Sequence, residues 1–317
     1  MSSNSVVSLV VYGVVAAFGL TINVLVLIAF VRGRLASSQH SSIYILALQT
    51  LIVDVIFITI HLFYWIPKAI NPDFLSFEGY DDAIILRLFD SIGTYAWFHN
   101  SLSHIFIASN RFVVLVFFER SIFTRPRVIF MAIVHHLLAL TITLLTQFAI
   151  PCCRLSFNFS IFSYFNVPNG NHPNYSDIIF TIPINSLSTV TSLICYATII
   201  ITVKRARAAT KLMQISDAKR KSEYSYALQF ASLAGVFSFC WLSFRVFPYI
   251  IPLSDPSLVW VFGLTTVFTM ANCFMNALVY LVNNTDVQRN LPCFKGYQNA
   301  SIQPTTVVDT VTDVGMR

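Results

Sequence analysis

Seven long apolar segments occupy most of this 317-residue chain, and they constrain its fold more than any other feature. Each is long enough to cross the hydrocarbon core of a bilayer, which takes about 20 helical residues. Charged residues make up only 11% of the chain, whereas a soluble domain usually has about a quarter. The segments run over Val6–Val31, Ile43–Ile66, Ile84–Ser109, Val128–Ile150, Ile178–Val203, Ser225–Ile250 and Ser257–Val282.

These segments predict an all-α fold, a bundle of seven transmembrane helices. Barrel strands are the other way to satisfy the backbone in lipid, but they need about ten alternating residues, and these runs do not alternate. The first segment lacks a basic flank, so we predict a retained helix rather than a cleaved signal peptide. The predicted organisation is one seven-helix domain over residues 1–285 and a short polar tail over residues 286–317, in which Asp286–Leu291 is amphipathic.

Basic residues are distributed unevenly between the two ends of the predicted bundle. Of the 20 lysines and arginines, all but four follow the first, third or fifth helix or lie in the tail. Because cytoplasmic loops of membrane proteins collect positive charge, this bias predicts an extracellular N-terminus and a cytoplasmic C-terminus. It also accounts for the net charge of +6, so the bilayer is the expected partner and nucleic acid is not.

Two glycosylation sequons lie in the longest extracellular loop of this topology, at Asn158 and Asn174. We predict that both asparagines are glycosylation sites. Two further sequons, at Asn283 and Asn299, fall on the cytoplasmic side. The extracellular pair therefore only corroborates the orientation.

Polar and aromatic residues occur at characteristic depths in five of the predicted helices. They are Gly19 and Asn23, then Asp54, then Asn110-Arg111-Phe112, then Phe237 and Cys240-Trp241-Leu242, and finally Asn272 and Asn276-Ala277-Leu278-Val279-Tyr280. Over nearly the whole chain this order resembles the rhodopsin-like G-protein-coupled receptors. Each match alone is weak, but five in the proper order are hard to obtain by chance.

Three shorter stretches narrow the resemblance. They are Ser103–Phe112, Ser121–Thr124 and Pro183–Ser188, and they resemble the nematode serpentine chemoreceptors, class X in particular. The resemblance implies a receptor for a small environmental ligand that activates a heterotrimeric G protein. It also implies a multi-pass protein of the plasma membrane, in the sensory cilium of a neuron.

The same resemblance assigns roles at the inner end and in the middle of the bundle. The implied G-protein-coupling and activation residues are Asn110, Arg111, Phe112, Asn276 and Tyr280. The implied polar network, which could hold a sodium ion, consists of Asn23, Asp54, Asn272 and Asn276. A carboxylate in mid-bilayer costs at least about 2.5 kcal/mol unless it is paired, so Asp54 either joins this network or is protonated and held by one neighbour. Arg111 either couples to the G protein or only extends to the membrane boundary.

Four departures from the rhodopsin-like pattern stand out. Asn110 replaces the usual acidic residue, which weakens the expected resting-state clamp on Arg111. Ser243 and Ala277 replace prolines; serine bends a helix mildly by bonding to an earlier carbonyl, and alanine does not. Leu86 stands where the third helix usually has a cysteine, so the usual disulfide to the second outer loop is missing.

The ligand site is expected in the outer half of the bundle, with apolar and aromatic walls and few polar groups. The candidate residues are Tyr95, Phe98, His99, Trp241, Phe244, Arg245 and Tyr249, with Trp97 at the same depth. Arg245 is predicted to contact an anionic or carbonyl-bearing ligand, to extend to the outer interface, or to neutralise Asp90. Gly93 stands where amine receptors have an aspartate, which argues against a biogenic amine.

The cysteines and histidines lead to weaker expectations. A disulfide between adjacent Cys152 and Cys153 would need a strained ring, so free thiols or an intermolecular bridge are expected. Cys293 is either palmitoylated or an ordinary reduced cysteine. His135 and His136 point about 100° apart on a helix, so we expect no metal site.

Catalytic motifs are missing from the sequence, so we expect no enzyme. The alternatives to a receptor are a transporter or channel, and a heptahelical protein without a ligand.

Overall fold

The structure is a computed structural model, and it describes residues 3–37, 43–75, 82–117, 121–159, 161–167, 172–210, 217–250 and 260–292. The tail from Cys293 onwards lies outside the described residues, as does the side chain of Tyr249. Palmitoylation of Cys293 therefore stays a prediction.

Seven long helices form the described part of the chain. They are α1 (Ser3–Arg32), α2 (Ile43–Ile60), α3 (Asp82–Val116), α4 (Arg125–Leu144), α5 (Ile182–Thr210), α6 (Asp217–Ile250) and α7 (Trp260–Asn283). Short π-helical turns extend α2 (His61–Trp65, then an α-helical turn Ile66–Ile70), α4 (Leu145–Ala149) and the start of α5 (Asp177–Thr181). A short helix, α8 (Thr285–Arg289), follows α7.

Five of these helices are long and apolar enough to cross a membrane, namely α1, α2, α4, α5 and α7 with their extensions. Helix α3 falls short of that composition because it carries polar and charged residues such as Arg87 and Asp90. Among the described side chains of α6, the apolar stretch runs over Ala231–Phe247. Large apolar side chains such as Phe130 and Ile250 are about 70% exposed on the outside of the bundle, as expected where the solvent is hydrocarbon. The predicted all-α seven-helix bundle is confirmed.

Helix α3 lies at the centre of the bundle and packs against α2, α4 and α5. Helix α7 packs between α1 and α6, and α5 packs against α6. The α6 residue Ser243 donates its hydroxyl to the carbonyl of Phe239 at 2.8 Å, the back-bond expected where the usual proline is missing. The α7 residue Ala277 is fully buried.

A β-hairpin that the sequence did not predict lies between α4 and α5. Its strands, β1 (Arg154–Asn158) and β2 (Ser163–Val167), pair antiparallel from Arg154 opposite Val167 to Asn158 opposite Ser163. We call this end of the bundle the hairpin end, and the opposite end, where α3 finishes, the Arg111 end.

Cys152 and Cys153, immediately before β1, form a disulfide with each other. The expectation of free thiols or an intermolecular bridge is therefore wrong. Both cysteines are buried, so a cysteine from a second chain could not reach either of them.

Candidate ligand cavity and polar core

A cavity of about 410 Å³ opens inside the hairpin end of the bundle. Aromatic side chains of α3 and α6, among them Trp97, Trp241 and Phe244, form much of its wall. Helix α7 contributes Phe262 and Thr265. The volume and the mainly apolar lining are those of a small-molecule site.

The β-hairpin forms another wall of this cavity, through residues that include Leu155, Tyr164 and Phe165. Asp90 of α3, 1% exposed, accepts hydrogen bonds from the Ser156 hydroxyl at 2.6 Å and the Phe157 backbone N–H at 3.0 Å. The hairpin is therefore attached to α3 without a disulfide.

Tyr164 projects from β2 into the bundle. Its phenol oxygen lies 3.1 Å from Nε2 of His61, and Nδ1 of His61 is hydrogen-bonded to Tyr12. Burial raises the pKa of Tyr164 well above its ordinary value, so the phenol stays neutral. A Cβ at Gly93 would lie 2.6 Å from the Tyr164 hydroxyl. Gly93 therefore makes room for the hairpin.

Further hydrogen bonds attach the hairpin to α7. The Ser163 and Thr265 hydroxyls lie 2.6 Å apart, and the Thr266 hydroxyl donates to the carbonyl of Phe162 at 2.7 Å. The hairpin is thus held by α2, α3 and α7, and its position fixes one wall of the cavity.

Arg245 of α6 forms a two-pronged ion pair with Asp177 at the start of α5. Both residues line the cavity, and their side chains are 28% and 13% exposed. Arg245 is therefore paired with Asp177 rather than with Asp90, whose carboxylate holds the hairpin. The guanidinium keeps N–H donors beyond the two in this pair, so it can still contact a carbonyl or carboxylate oxygen.

The predicted pocket residues divide into two groups. Trp241, Phe244 and Arg245 line the cavity. Tyr95, Phe98 and His99 lie on the face of α3 that packs against α4: Phe98 contacts Ala139 and Ile142, and the ring of His99 stacks on His135 with centroids 4.1 Å apart. The helical period explains the division, since Trp97 lies about 100° around α3 from Phe98.

A cluster of buried polar side chains lies deeper, at the middle of the bundle. Asp54 is fully buried and accepts a hydrogen bond from Nδ2 of Asn100 at 2.8 Å; Asn276 also contacts its carboxyl group. Asn23 donates to the carbonyl of Cys273 at 3.4 Å.

One member of the predicted network differs from expectation in its partner. The side chain of Asn272 interacts with His104 rather than with Asp54. Asn100, which the sequence did not single out, takes the place beside Asp54. Its signal was weak, because it lies in a polar run of α3 between His99 and Ser101.

Four side-chain oxygens in this cluster have no hydrogen-bond partner among the described residues. They are Asn23 Oδ1, Asp54 Oδ2, Asn100 Oδ1 and Asn272 Oδ1. Buried polar atoms without partners are uncommon in proteins, because each costs the desolvation of the group. Oxygen ligands of this kind suit a small hard cation.

Arg111 lies at the other end of α3, together with several aromatic residues. Tyr196 of α5 is 4% exposed and lies within electrostatic range of both Arg111 and Tyr280. Asn110 is buried, and the ring of Phe112 meets that of Phe117 edge to face. Four of the predicted activation residues, Asn110, Arg111, Phe112 and Tyr280, thus lie near this end, and Tyr196 joins them. The fifth, Asn276, contacts Asp54 in the middle of the bundle.

Helix α8 is attached to the same end of the bundle. Asn284 caps it by accepting a hydrogen bond from the Val287 N–H at 3.0 Å, and Tyr44 donates to the Asp286 carboxylate at 3.0 Å. Val287 is fully buried. The helix ends at Arg289, two residues before the predicted amphipathic stretch does.

The two predicted glycosylation sites have different surroundings. Asn158 ends β1 and lines the cavity. Asn174 lies outside the cavity, where its Oδ1 accepts a hydrogen bond from the Asp177 backbone N–H at 3.1 Å. Its Nδ2, the atom that a glycan would modify, is not needed for that bond.

Comparison with solved structures identifies the fold of this bundle. The chain is similar to squid rhodopsin, with a TM-score of 0.71 at 14% sequence identity, over 92% of this chain and 85% of that chain. At this identity the similarity establishes the fold alone, which is that of the rhodopsin-like receptors.

The family follows from the sequence itself. Residues 14–284 match the family described as serpentine type 7TM GPCR chemoreceptor Srx. The chain belongs to this family, and the predicted resemblance is confirmed. It is a multi-pass membrane protein of a receptor family. A comparison with curated proteins finds no significant match.

Proposed function

We propose that this receptor binds a small environmental molecule in the 410 Å³ cavity and activates a heterotrimeric G protein at its Arg111 end. The observation that carries the proposal is the course of α6. Trp241 and Arg245 of α6 line the cavity, whereas Leu233 and Ala234 pack in one cluster with Tyr196 of α5 and Ala108 of α3. A ligand that shifts α6 at the cavity therefore disturbs the packing beside Arg111.

Aromatic contacts connect the cavity with the polar cluster in the middle of the bundle. Trp97 of α3 lies 5.4 Å from Phe244 and 6.3 Å from Phe237, measured between ring centroids. Phe237 in turn lies 4.4 Å from His104, which interacts with Asn272 of the polar cluster. Packed side chains of this kind can switch between discrete arrangements.

The proposed orientation places the hairpin end outside the cell and the Arg111 end in the cytoplasm. It rests on the concentration of lysine and arginine after the first, third and fifth helices and on the position of the sequons at the hairpin end. The plasma membrane of a sensory cilium is the location that the family resemblance favours.

Asp54 and its neighbours are proposed to hold a sodium ion. The proposal is supported by the four buried oxygens that have no hydrogen-bond partner among the described residues, and the ion would balance the buried carboxylate. Asn100 and Asn23 would keep the site in place through their hydrogen bonds to Asp54 and Cys273.

The coupling role of Arg111 is tested with Arg111→Ala. We expect this variant to reach the cell surface and to reduce the ligand-evoked signal at least about tenfold, since loss of a charged contact with the G protein would cost on the order of 1.4 kcal/mol or more. Cells expressing the receptor are screened with a library of small environmental chemicals, using calcium and cyclic nucleotides as readouts.

Arg32→Ala serves as the matched control, because Arg32 is exposed at the same end but lies on α1. It should respond like the unmodified receptor. An undiminished response of Arg111→Ala would contradict the role assigned to Arg111. Ion flux in proteoliposomes containing the purified receptor alone would contradict the proposed function altogether.

The orientation predicts glycan attachment at Asn174 and little at Asn158, because Asn158 lies in the cavity wall. Asn174→Gln is expected to remove the glycosidase-sensitive shift in gel mobility, and Asn158→Gln to leave it unchanged. A receptor that carries no glycan at either site, with its N-terminus accessible only from the cytoplasm, would show the opposite orientation.

A further inference from the structure

A second cavity, of about 460 Å³, lies between α3 and α4 on the outside of the bundle. It shares no lining residue with the proposed ligand cavity. Its walls are leucines, including Leu88, Leu137 and Leu140, of which the first two are 58% exposed. Because these side chains face the bilayer, the cleft opens towards lipid, and its volume is that of a small-molecule site.

Four polar side chains interrupt this apolar surface. The Ser91 and Thr143 hydroxyls donate to backbone carbonyls of their own helices, and the other two residues form a pair. The phenol oxygen of Tyr95 lies 2.5 Å from Nδ1 of His136, and both residues line the cleft. A phenol and a neutral imidazole bring two polar hydrogens, and the bond between them uses one. Whichever imidazole nitrogen is protonated, one N–H or O–H donor remains. In the described ranges no second hydrogen-bond partner satisfies it.

Packing behind the pair holds it in place. The His136 ring lies 4.8 Å from His99 and 5.9 Å from His135, measured between centroids. His135 is fixed in turn by bonds to the His99 carbonyl at 2.9 Å and to Gln49 at 3.0 Å. The remaining donor, either the Tyr95 O–H or the His136 N–H, therefore belongs to a pair that is held on the wall of the cleft.

The position of the Tyr95–His136 pair within the bilayer determines which molecules can accept a hydrogen bond from the remaining donor. The apolar span of α4 runs over Arg125–Ala149, and His136 lies close to its middle. Phospholipid chains offer only hydrocarbon at that depth, and an unpaired donor in hydrocarbon is costly. Water and lipid head groups lie about 15 Å away, half the thickness of the hydrocarbon core.

We propose that this cleft binds a lipophilic molecule from the bilayer that carries one hydrogen-bond-accepting oxygen, such as a long-chain alcohol, ketone or ester. The oxygen accepts the hydrogen bond from the Tyr95–His136 pair, and the aliphatic body lies against the leucine walls. The site is independent of the proposed signalling ligand, because it opens on the outside of the bundle.

The test compares two photoreactive probes, a long-chain alcohol bearing a diazirine and the matched diazirine alkane without oxygen. The full-length receptor is placed in phosphatidylcholine nanodiscs, and labelled peptides are mapped by mass spectrometry. We expect the alcohol to label residues 137–148 about five- to tenfold more than the alkane does, the gain of one net hydrogen bond.

Two variants complete the experiment. The double variant Tyr95→Phe/His136→Phe should abolish the difference between the probes, whereas Thr198→Val, which removes an exposed hydroxyl from α5, should preserve it. Equal labelling by both probes in the unmodified receptor would overturn the proposal, and this comparison does not depend on how well the variants fold. A preference that survives in the double variant would also overturn it.

Discussion

Asp90→Ala is expected to release the β-hairpin from α3 and to lower the free energy of unfolding by about 2–5 kcal/mol. Asp90 is 1% exposed and accepts two hydrogen bonds, from the Ser156 hydroxyl and the Phe157 N–H. Without the carboxylate both donors remain buried and unsatisfied, at about 1–3 kcal/mol each. Hydrogen–deuterium exchange of residues 154–167 and thermal unfolding of the detergent-solubilised receptor measure the effect.

Graded variants distinguish this anchor from a general loss of charge. Asp90→Asn keeps one accepting oxygen and should give an intermediate loss. Asp73→Ala removes an exposed carboxylate at the hairpin end and should change nothing. If exchange in the hairpin is the same in Asp90→Ala as in the unmodified receptor, another contact holds the hairpin.

Gly93→Ala is expected to destabilise the receptor by about 1–3 kcal/mol, the usual cost of overpacking a core. The added Cβ would lie 2.6 Å from the Tyr164 hydroxyl, so Tyr164 would have to leave His61. In most helices the same substitution is stabilising, because glycine costs about 0.5–1 kcal/mol relative to alanine. The change in stability at Gly93 is therefore expected to have the opposite sign from that in most helices. Thermal unfolding of the receptor measures it.

Gly235→Ala is the matched control, since a Cβ at Gly235 of α6 meets nothing within 4 Å. It should raise the unfolding midpoint slightly. In a double-mutant cycle, Tyr164→Phe removes the hydroxyl in the way and should relieve most of the cost of Gly93→Ala. Equal effects of alanine at the two glycines would show that Tyr164 does not occupy the space beside Gly93.

The helices were the most predictable part of this receptor. The segment predicted over Val6–Val31 appears as α1 (Ser3–Arg32), and the segment over Val128–Ile150 as α4 with its π-helical turn. The length of an apolar segment is a local property of the sequence, and a segment of about 20 apolar residues forms a helix that crosses the bilayer. The β-hairpin was missed because five-residue strands lie far below any membrane-spanning length and only their pairing defines them.

The sequence predicted how deep each candidate site residue lies along its helix, but not which side of the helix faces the cavity. Trp241 and Arg245 lie one helical turn apart on α6 and both line the cavity, whereas His99 shares their depth but packs against α4. Depth follows from the position along a helix, and the face that meets the interior depends on neighbouring helices. Asn100 was missed beside Asp54 for the same reason.

The sequence by itself determined the number of membrane crossings, the receptor family and the order of the motifs, because hydropathy and motif spacing are properties of contiguous residues. Only the tertiary structure decided which polar groups meet. Asp90 and Phe157 are 67 residues apart, Arg245 and Asp177 are 68 apart, and Tyr164 and His61 are 103 apart. Such pairs form when helices pack around a common interior, where an unpaired polar group costs enough free energy to select the partner.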